Sequence, residues 1–427
     1  MRYVIIGNSA AAVGAIEAIR ERDREGSITV VSDEPHHVYS RPLITYWLGG
    51  EVSDAQMAYR PADFYERFGV ETMLGTEVVS VDPAEKAVSL AGGGWVRYDR
   101  LLIATGGRPF VPPLRGANLG GVFTFTRWDD AREMAQAMEG RGVESALIVG
   151  GGFIGMKTVE ALMAREIQLT VVELADQILG ATFDATASQL IMRLLRGEGV
   201  DVRTGTTVEE IIGRSGWVDH AVLRGGERLS TDLLVFAIGV RPNVGLIPKE
   251  SEIEVNRGIV VDRRMRTTAA DIYAAGDCVE AYDRLLDTVR PIAIWPNAYR
   301  QGAVAGENMA GGERVYDGGF PMNALEICGV PTVSVGLTDP EDADEYEILD
   351  AYDGARPMYK KLVLRRDRLV GAISVGDIER AGIYTGLIRS GLDVGPFKDH
   401  LLSGSFGLIS LPREYRKHMV VGEGIEV

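Results

Sequence analysis

Cysteine is scarce in this chain: Cys278 and Cys328 are the only two in 427 residues. That excludes a disulfide framework and a four-cysteine metal site. The five histidines are scattered, and the one adjacent pair, His36-His37, reads as a loop rather than a ligand set, so a metal-free protein is expected. No run of about 18 uninterrupted apolar residues occurs, so no membrane span is expected. Met1-Arg2 leads straight into an apolar strand and leaves no room for a signal peptide, which points to the cytoplasm. Basic charge is also in deficit. A net charge of −16 argues against nucleic acid, whose binding requires a basic face.

What remains is a globular composition, 46% hydrophobic and 25% charged, long enough for about three domains. Two glycine-rich turns dominate it. The first is Val4-Ile5-Ile6-Gly7-Asn8-Ser9-Ala10-Ala11-Ala12, and the second is Leu147-Ile148-Val149-Gly150-Gly151-Gly152-Phe153-Ile154-Gly155. Each leads from an apolar strand into a helix-length segment, then a second strand closed by an acid: Asp33 and Glu34 after Ile28–Val31, Glu173 after Leu169–Val172. Small residues let the backbone approach a pyrophosphate, the helix N-terminus faces its charge, and the carboxylate accepts from a ribose hydroxyl. Two such units predict one flavin dinucleotide and one nicotinamide dinucleotide.

A third element is Asp271-Ile272-Tyr273-Ala274-Ala275-Gly276-Asp277, a short strand ending in small residues and a carboxylate able to hold a ribityl chain. With Ala104-Thr105-Gly106-Gly107-Arg108-Pro109 and Ala237-Ile238-Gly239-Val240-Arg241-Pro242, the chain from residue 1 to about 315 resembles the pyridine nucleotide–disulfide oxidoreductase superfamily, the two-dinucleotide-binding-domain flavoproteins. The resemblance implies an α/β fold: two Rossmann-like dinucleotide-binding domains, the FAD domain interrupted by the NAD domain, plus a C-terminal α+β domain. The expected boundaries are 1–111 and 238–315 for FAD, 112–237 for NAD, and 316–427 for the last domain, through which relatives often dimerise.

The resemblance also implies a site. FAD is expected at Gly7, Ser9, Ala10, Ala11, Asp33, Glu34, Arg41, Pro42, Ala104, Thr105, Gly106, Arg127, Gly276 and Asp277. The helix opening at Trp295-Pro296-Asn297 would direct its positive end at the flavin pyrimidine edge, with Trp295 against the ring. NADH is expected at Gly150, Gly152, Phe153, Ile154, Gly155, Glu173 and Gly239. Glu173 favours NADH over NADPH, since a carboxylate repels a 2′-phosphate and Leu174, Ala175 and Asp176 follow it without an arginine.

Disulfide reductases of the superfamily carry a CxxxxC pair, and peroxidases and oxidases one cysteine in the loop after the second strand. Here that place falls at about Pro42, and both cysteines read as buried packing, Cys278 beside Asp277 and Cys328 in a strand. The loop Tyr39-Ser40-Arg41-Pro42-Leu43 is similar to that of rubredoxin and ferredoxin reductases and of the nitrite reductase flavoprotein segment. Relatives place a lysine near flavin N5, paired with a glutamate; the corresponding residues here are about Tyr46 and Lys157. Lys157 is therefore the candidate catalytic cation.

The expected function is an FAD-dependent NADH oxidoreductase passing electrons to a small acidic iron–sulfur carrier, rubredoxin or ferredoxin. A peroxide-forming NADH oxidase and a flavoprotein subunit docked on an iron–sulfur partner are the alternatives. Asp339 to Asp350 holds seven carboxylates and no base, whereas Arg356, Lys360, Lys361, Arg365, Arg366 and Arg368 crowd the next stretch. The second segment, with Arg413-Glu414-Tyr415-Arg416-Lys417-His418, is the expected docking strip, against the simpler reading of a solvated charged hairpin.

Overall fold

The computed structural model describes residues 1–411. Apolar runs rich in Val, Ile and Leu form the central strands of two parallel sheets, buried on both faces as unalternating strands should be. The first has the order Ile272–Ala274, Arg100–Ile103, Arg2–Ile6, Ser27–Ser32, Val70–Leu74. Residues far apart in the chain thus complete one sheet, because Ile272–Ala274 pairs in parallel with Leu101 to Ile103. The second sheet repeats the plan within the intervening segment: Asp201–Arg203, Gln168–Val172, Ser145–Val149, Leu233–Phe236, Val122–Thr124.

The chain crosses between the two units twice, and the crossings are tied together. Gly107–Pro109 and Val240–Pro242 pair antiparallel, and the Thr105 hydroxyl donates to the Asn243 carbonyl at 2.7 Å. The third sheet is antiparallel throughout, in the order Met322–Ile327, Val330–Gly336, Arg368–Val375, Met358–Arg365, Glu347–Asp353, and packs the helix Ala381–Ser390. The fold is therefore α/β with two Rossmann-like units and a C-terminal α+β unit. Among the described residues no helix is long and apolar enough to cross a membrane.

One helix pair sets the geometry of the first unit. Ala10–Arg22 and Trp295–Met309 pack backbone to backbone. A Cβ on Gly302 would stand 2.0 Å from the Ala11 carbonyl oxygen, and one on Gly306 2.4 Å from that of Ala15. Small residues at one helical spacing thus lock together the two helices that open toward the expected flavin.

Candidate functional site

The two glycine turns are the same device built twice. Gly7 donates its N–H to Val31 O and Ala104 donates to Ile6 O, both at 2.8 Å. Gly150 donates to Val172 O and Ala237 to Val149 O, again both at 2.8 Å. Gly7 has φ +107° and Gly150 φ +111°, backbone that favours glycine. A Cβ would lie 2.2 Å from Ala104 O in the first turn and 2.5 Å from Ala237 O in the second. Each following helix starts without a side-chain cap, at Ser9 and at Gly152, so protein side chains leave the first-turn N–H groups to an external anion. This fits a pyrophosphate at each turn.

The acids behind the turns behave differently from one another. Glu173 accepts from Gly151 N at 2.6 Å and Ala175 N at 2.8 Å, so it shapes the second turn while remaining partly exposed. Glu34 is buried, and both its oxygens are engaged, Oε2 by the Tyr39 hydroxyl at 2.5 Å and Oε1 by Arg41. Instead of presenting a free carboxylate to a ribose, Glu34 organises the loop. Asp33 is the more open acid, paired with Arg127 at 2.7 Å. Tyr39 was the residue whose role the sequence did not reveal: its hydroxyl also accepts from Trp128 N at 3.3 Å, stapling the loop to the helix Trp128–Arg141.

Arg41 and Asp277 face each other across this site. Burial alone would lower the guanidinium's proton affinity, but Tyr39, Glu34 and Asp277 outweigh it and raise it. Burial pushes the Asp277 carboxyl up to about 6, with Arg41 pulling it down in part. No hydrogen bond reaches that carboxylate from the described residues. A sunken acceptor beside Gly276, whose φ is +88°, fits the hydroxyls of a ribityl chain. Ala104, Thr105 and Gly106 line the same strand end, and Pro42 lies in the short 3₁₀ turn Arg41–Leu43.

The helix Trp295–Met309 opens with Pro296 in its first turn, where a missing N–H is harmless. Trp295 packs edge-on against Tyr59 at 4.9 Å, only partly buried. Asn297 is fully buried; its Oδ1 accepts from Arg300 at 2.6 Å and its Nδ2 has no partner. An orphaned donor at a helix N-terminus suits an anionic ring edge.

Lys157 is half-buried on the helix Phe153–Met163, which also carries Ile154 and Gly155. Its ammonium lies over the Tyr46 ring at 4.9 Å and 3.4 Å from the Tyr46 hydroxyl, so the two substituted positions of the lysine–glutamate pair do meet. It is not an unpaired cation, because Glu160 binds it at 2.6 Å. That partner was legible as an i,i+3 pair. Cys278 is buried, with burial pushing its thiol up to about 11. Cys328 corrects the expectation of a strand position, although it does pack against the core cluster of the second unit. It occupies the turn after Met322–Ile327 at φ +50°, partly exposed, and burial with Glu198 and Glu160 raises it to about 11. Neither thiol is poised as a thiolate.

The docking strip is corrected in part: Arg356 and Arg366 are exposed, but its two lysines are not. Lys360 and Lys361 are buried and committed, Lys360 to Asp377 at 2.6 Å, Lys361 to Asp184 at 3.1 Å and Asp339 at 3.0 Å. Arg365 donates to the Leu285 carbonyl at 2.9 Å and Arg368 to the Gly391 carbonyl. The charged segments do pair as a hairpin, Glu347–Asp353 against Met358–Arg365, but its lysines point inward. Arg413 to His418 lie outside the described residues.

Against known proteins, residues 1–302 match the family model of the pyridine nucleotide-disulphide oxidoreductases, and residues 321–392 that of the rubredoxin NAD+ reductase C-terminal domain. The chain is 32% identical to a nitrite reductase [NAD(P)H] of Bacillus subtilis over 92% of this chain and 48% of that one, so it spans about half that protein's length. It is 32% identical to the NADH-dependent phenylglyoxylate dehydrogenase subunit epsilon of Aromatoleum evansii, over 94% of each chain. A rubredoxin-NAD(+) reductase of Pseudomonas putida is 31% identical over 91% of this chain and 99% of that one.

Proposed function

The chain belongs to the pyridine nucleotide-disulphide oxidoreductase family, and from that premise we propose that it is an FAD-dependent NADH oxidoreductase handing single electrons to a small iron–sulfur protein. The observation that carries the reading is a duplicated dinucleotide turn with no reactive thiol to relay an electron pair. The likeness to a rubredoxin-NAD(+) reductase over nearly that protein's whole length supports the class of acceptor. Electrons balance as one NADH and two oxidised carriers giving NAD⁺, one proton and two reduced carriers.

Bound FAD supplies the exchange between a hydride donor and one-electron acceptors. This chain's residues position it. Gly7, Ser9, Ala10 and Ala11 would present the first helix N-terminus to its pyrophosphate, Asp33 and Arg127 would flank the ribose side, and Arg41 and Asp277 would hold the middle of the molecule. Gly150, Gly152 and Gly155 would do the same for NADH, with Glu173 refusing a 2′-phosphate. The reading places the protein in the cytoplasm, as a homodimer formed through part of its C-terminal domain.

An anaerobic screen with NADH as donor tests it: rubredoxin or ferredoxin should be reduced at two per NADH. Fast turnover with oxygen and none with any iron–sulfur protein would make the chain a peroxide-forming oxidase instead. The full-length likeness to a dehydrogenase subunit favours a second reading, a flavoprotein subunit of a larger complex. Co-purification with other subunits from the source, and negligible activity alone, would select it.

A further inference from the structure

Three arginines without a carboxylate partner among the described residues act on one another near the helix Trp295–Met309, where Arg389 and Arg284 place like charge on Arg300. Arg300, in its second turn, bonds only within the helix, to Asn297 Oδ1 at 2.6 Å and the Pro296 carbonyl at 3.4 Å. Arg284 follows the strand Val279–Asp283, and its backbone N–H donates to Gly319 O at 3.2 Å. Gly319 in turn abuts Asn297: a Cβ there would stand 2.5 Å from Asn297 Nδ2. Arg389 lies at the end of the helix Ala381–Ser390, and Leu387 and Ile388 share a core cluster with Leu285, the neighbour of Arg284. Arg365 closes the group from behind through the Leu285 carbonyl.

The opposing charges nearby do not cancel this. Asp283 is buried and spent on Arg290 and on the N–H groups of Leu285 and Leu286, and Asp287 accepts from Tyr282. The carboxylate that faces Arg300 is exposed Asp317. Burial, then the like charges of Arg389 and Arg284, lower the proton affinity of Arg300. In a chain of net −16, clustering three arginines that hold no carboxylate is unfavourable without an external anion.

We propose that Arg284, Arg300 and Arg389 form the landing surface for an acidic one-electron protein carrier. The proposal rests on the carrier reading above. Its position supports it: Arg300 bonds Asn297 at the helix end assigned to the flavin pyrimidine edge, Arg284 reaches the same residue through Gly319, and the charge of Arg389 acts on Arg300, so a partner docked there has a short electron path. Its charge supports it as well, since a local basic patch on an acidic protein orients an acidic partner within about a Debye length, roughly 8 Å at physiological salt.

The test compares the FAD-loaded wild type with R284Q/R389Q, leaving Arg300 in place because it holds Asn297. The acceptors are an acidic rubredoxin, an acidic [2Fe–2S] ferredoxin and a small neutral quinone, with R24Q/R228Q as a charge-matched control on unpaired, exposed arginines. The KM for the iron–sulfur proteins should rise about fivefold or more and its salt dependence should flatten. Quinone turnover, and both activities of the control, should stay at the wild-type level. Unchanged carrier KM and salt dependence in R284Q/R389Q would overturn the landing surface while the carrier reading stands. Equal loss with quinone and carrier would overturn it too, because the arginines would then act through the fold. A wild type that reduces neither iron–sulfur protein removes the carrier reading, and this surface with it.

Discussion

Asp277→Asn should make the FAD-free protein more stable at neutral pH while weakening its hold on FAD. The carboxyl is pushed from 3.8 up to about 6 by burial, and no donor among the described residues compensates it. Two units at about 1.4 kcal/mol each set an upper bound of roughly 3 kcal/mol. The side chain is still partly exposed, so solvent screening brings a realistic figure to about 1–2 kcal/mol. The sign follows from proton binding. Below 3.8 both folded and unfolded chains are protonated there, and the aspartate costs nothing. Between 3.8 and about 6 the unfolded chain ionises first, so stability falls as pH rises. Above about 6 both are ionised and the penalty is constant. Urea unfolding of the stripped protein should therefore find the Asn variant more stable at pH 8 by about 1–2 kcal/mol, the gap closing toward pH 4. Fluorescence titration should find FAD bound about tenfold more weakly, through loss of a charge-assisted hydrogen bond to the ribityl chain. A variant less stable than wild type at pH 8 would refute the uncompensated-carboxylate argument, and unchanged FAD affinity would remove Asp277 from the flavin site.

Three further outcomes are expected. Steady-state kinetics should give a larger kcat/KM for NADH than for NADPH, and Glu173→Gln should shrink that ratio about tenfold; a wild-type preference for NADPH contradicts the role of Glu173. Replacing Cys278 and Cys328 together by serine should leave stopped-flow bleaching of the flavin by NADH within about twofold, because both thiols sit near 11 and stay protonated; lost bleaching in a folded, FAD-loaded variant would reinstate a thiol step. Since Glu160 neutralises Lys157, Lys157→Met should lower the flavin potential and Glu160→Gln raise it, each by roughly 20–30 mV, about 1 kcal/mol for a two-electron couple; spectroelectrochemistry finding both unchanged would place Lys157 outside the field of the ring.

The glycine turns were legible in the sequence because everything they need is local. An apolar strand, a glycine where φ turns positive and small residues opening a helix lie within nine consecutive positions around Gly7 and again around Gly150. Asp277 at the end of its short strand was readable for the same reason, and so was the change to antiparallel strands near Phe320. Charge was not readable in this way. A run of lysines and arginines looks the same whether it faces water or a buried carboxylate, and Lys361 meets Asp184 only once the third sheet packs onto the second unit. Glu34 likewise read as a ribose acceptor until the loop brought Tyr39 and Arg41 onto it. Backbone turns and strand period are fixed by neighbours in the chain, so the sequence determined them. Which ionised groups are left without an oppositely charged hydrogen-bonding partner, at Asp277 and at Arg284, Arg300 and Arg389, depends on distant segments, and only the tertiary structure decided it.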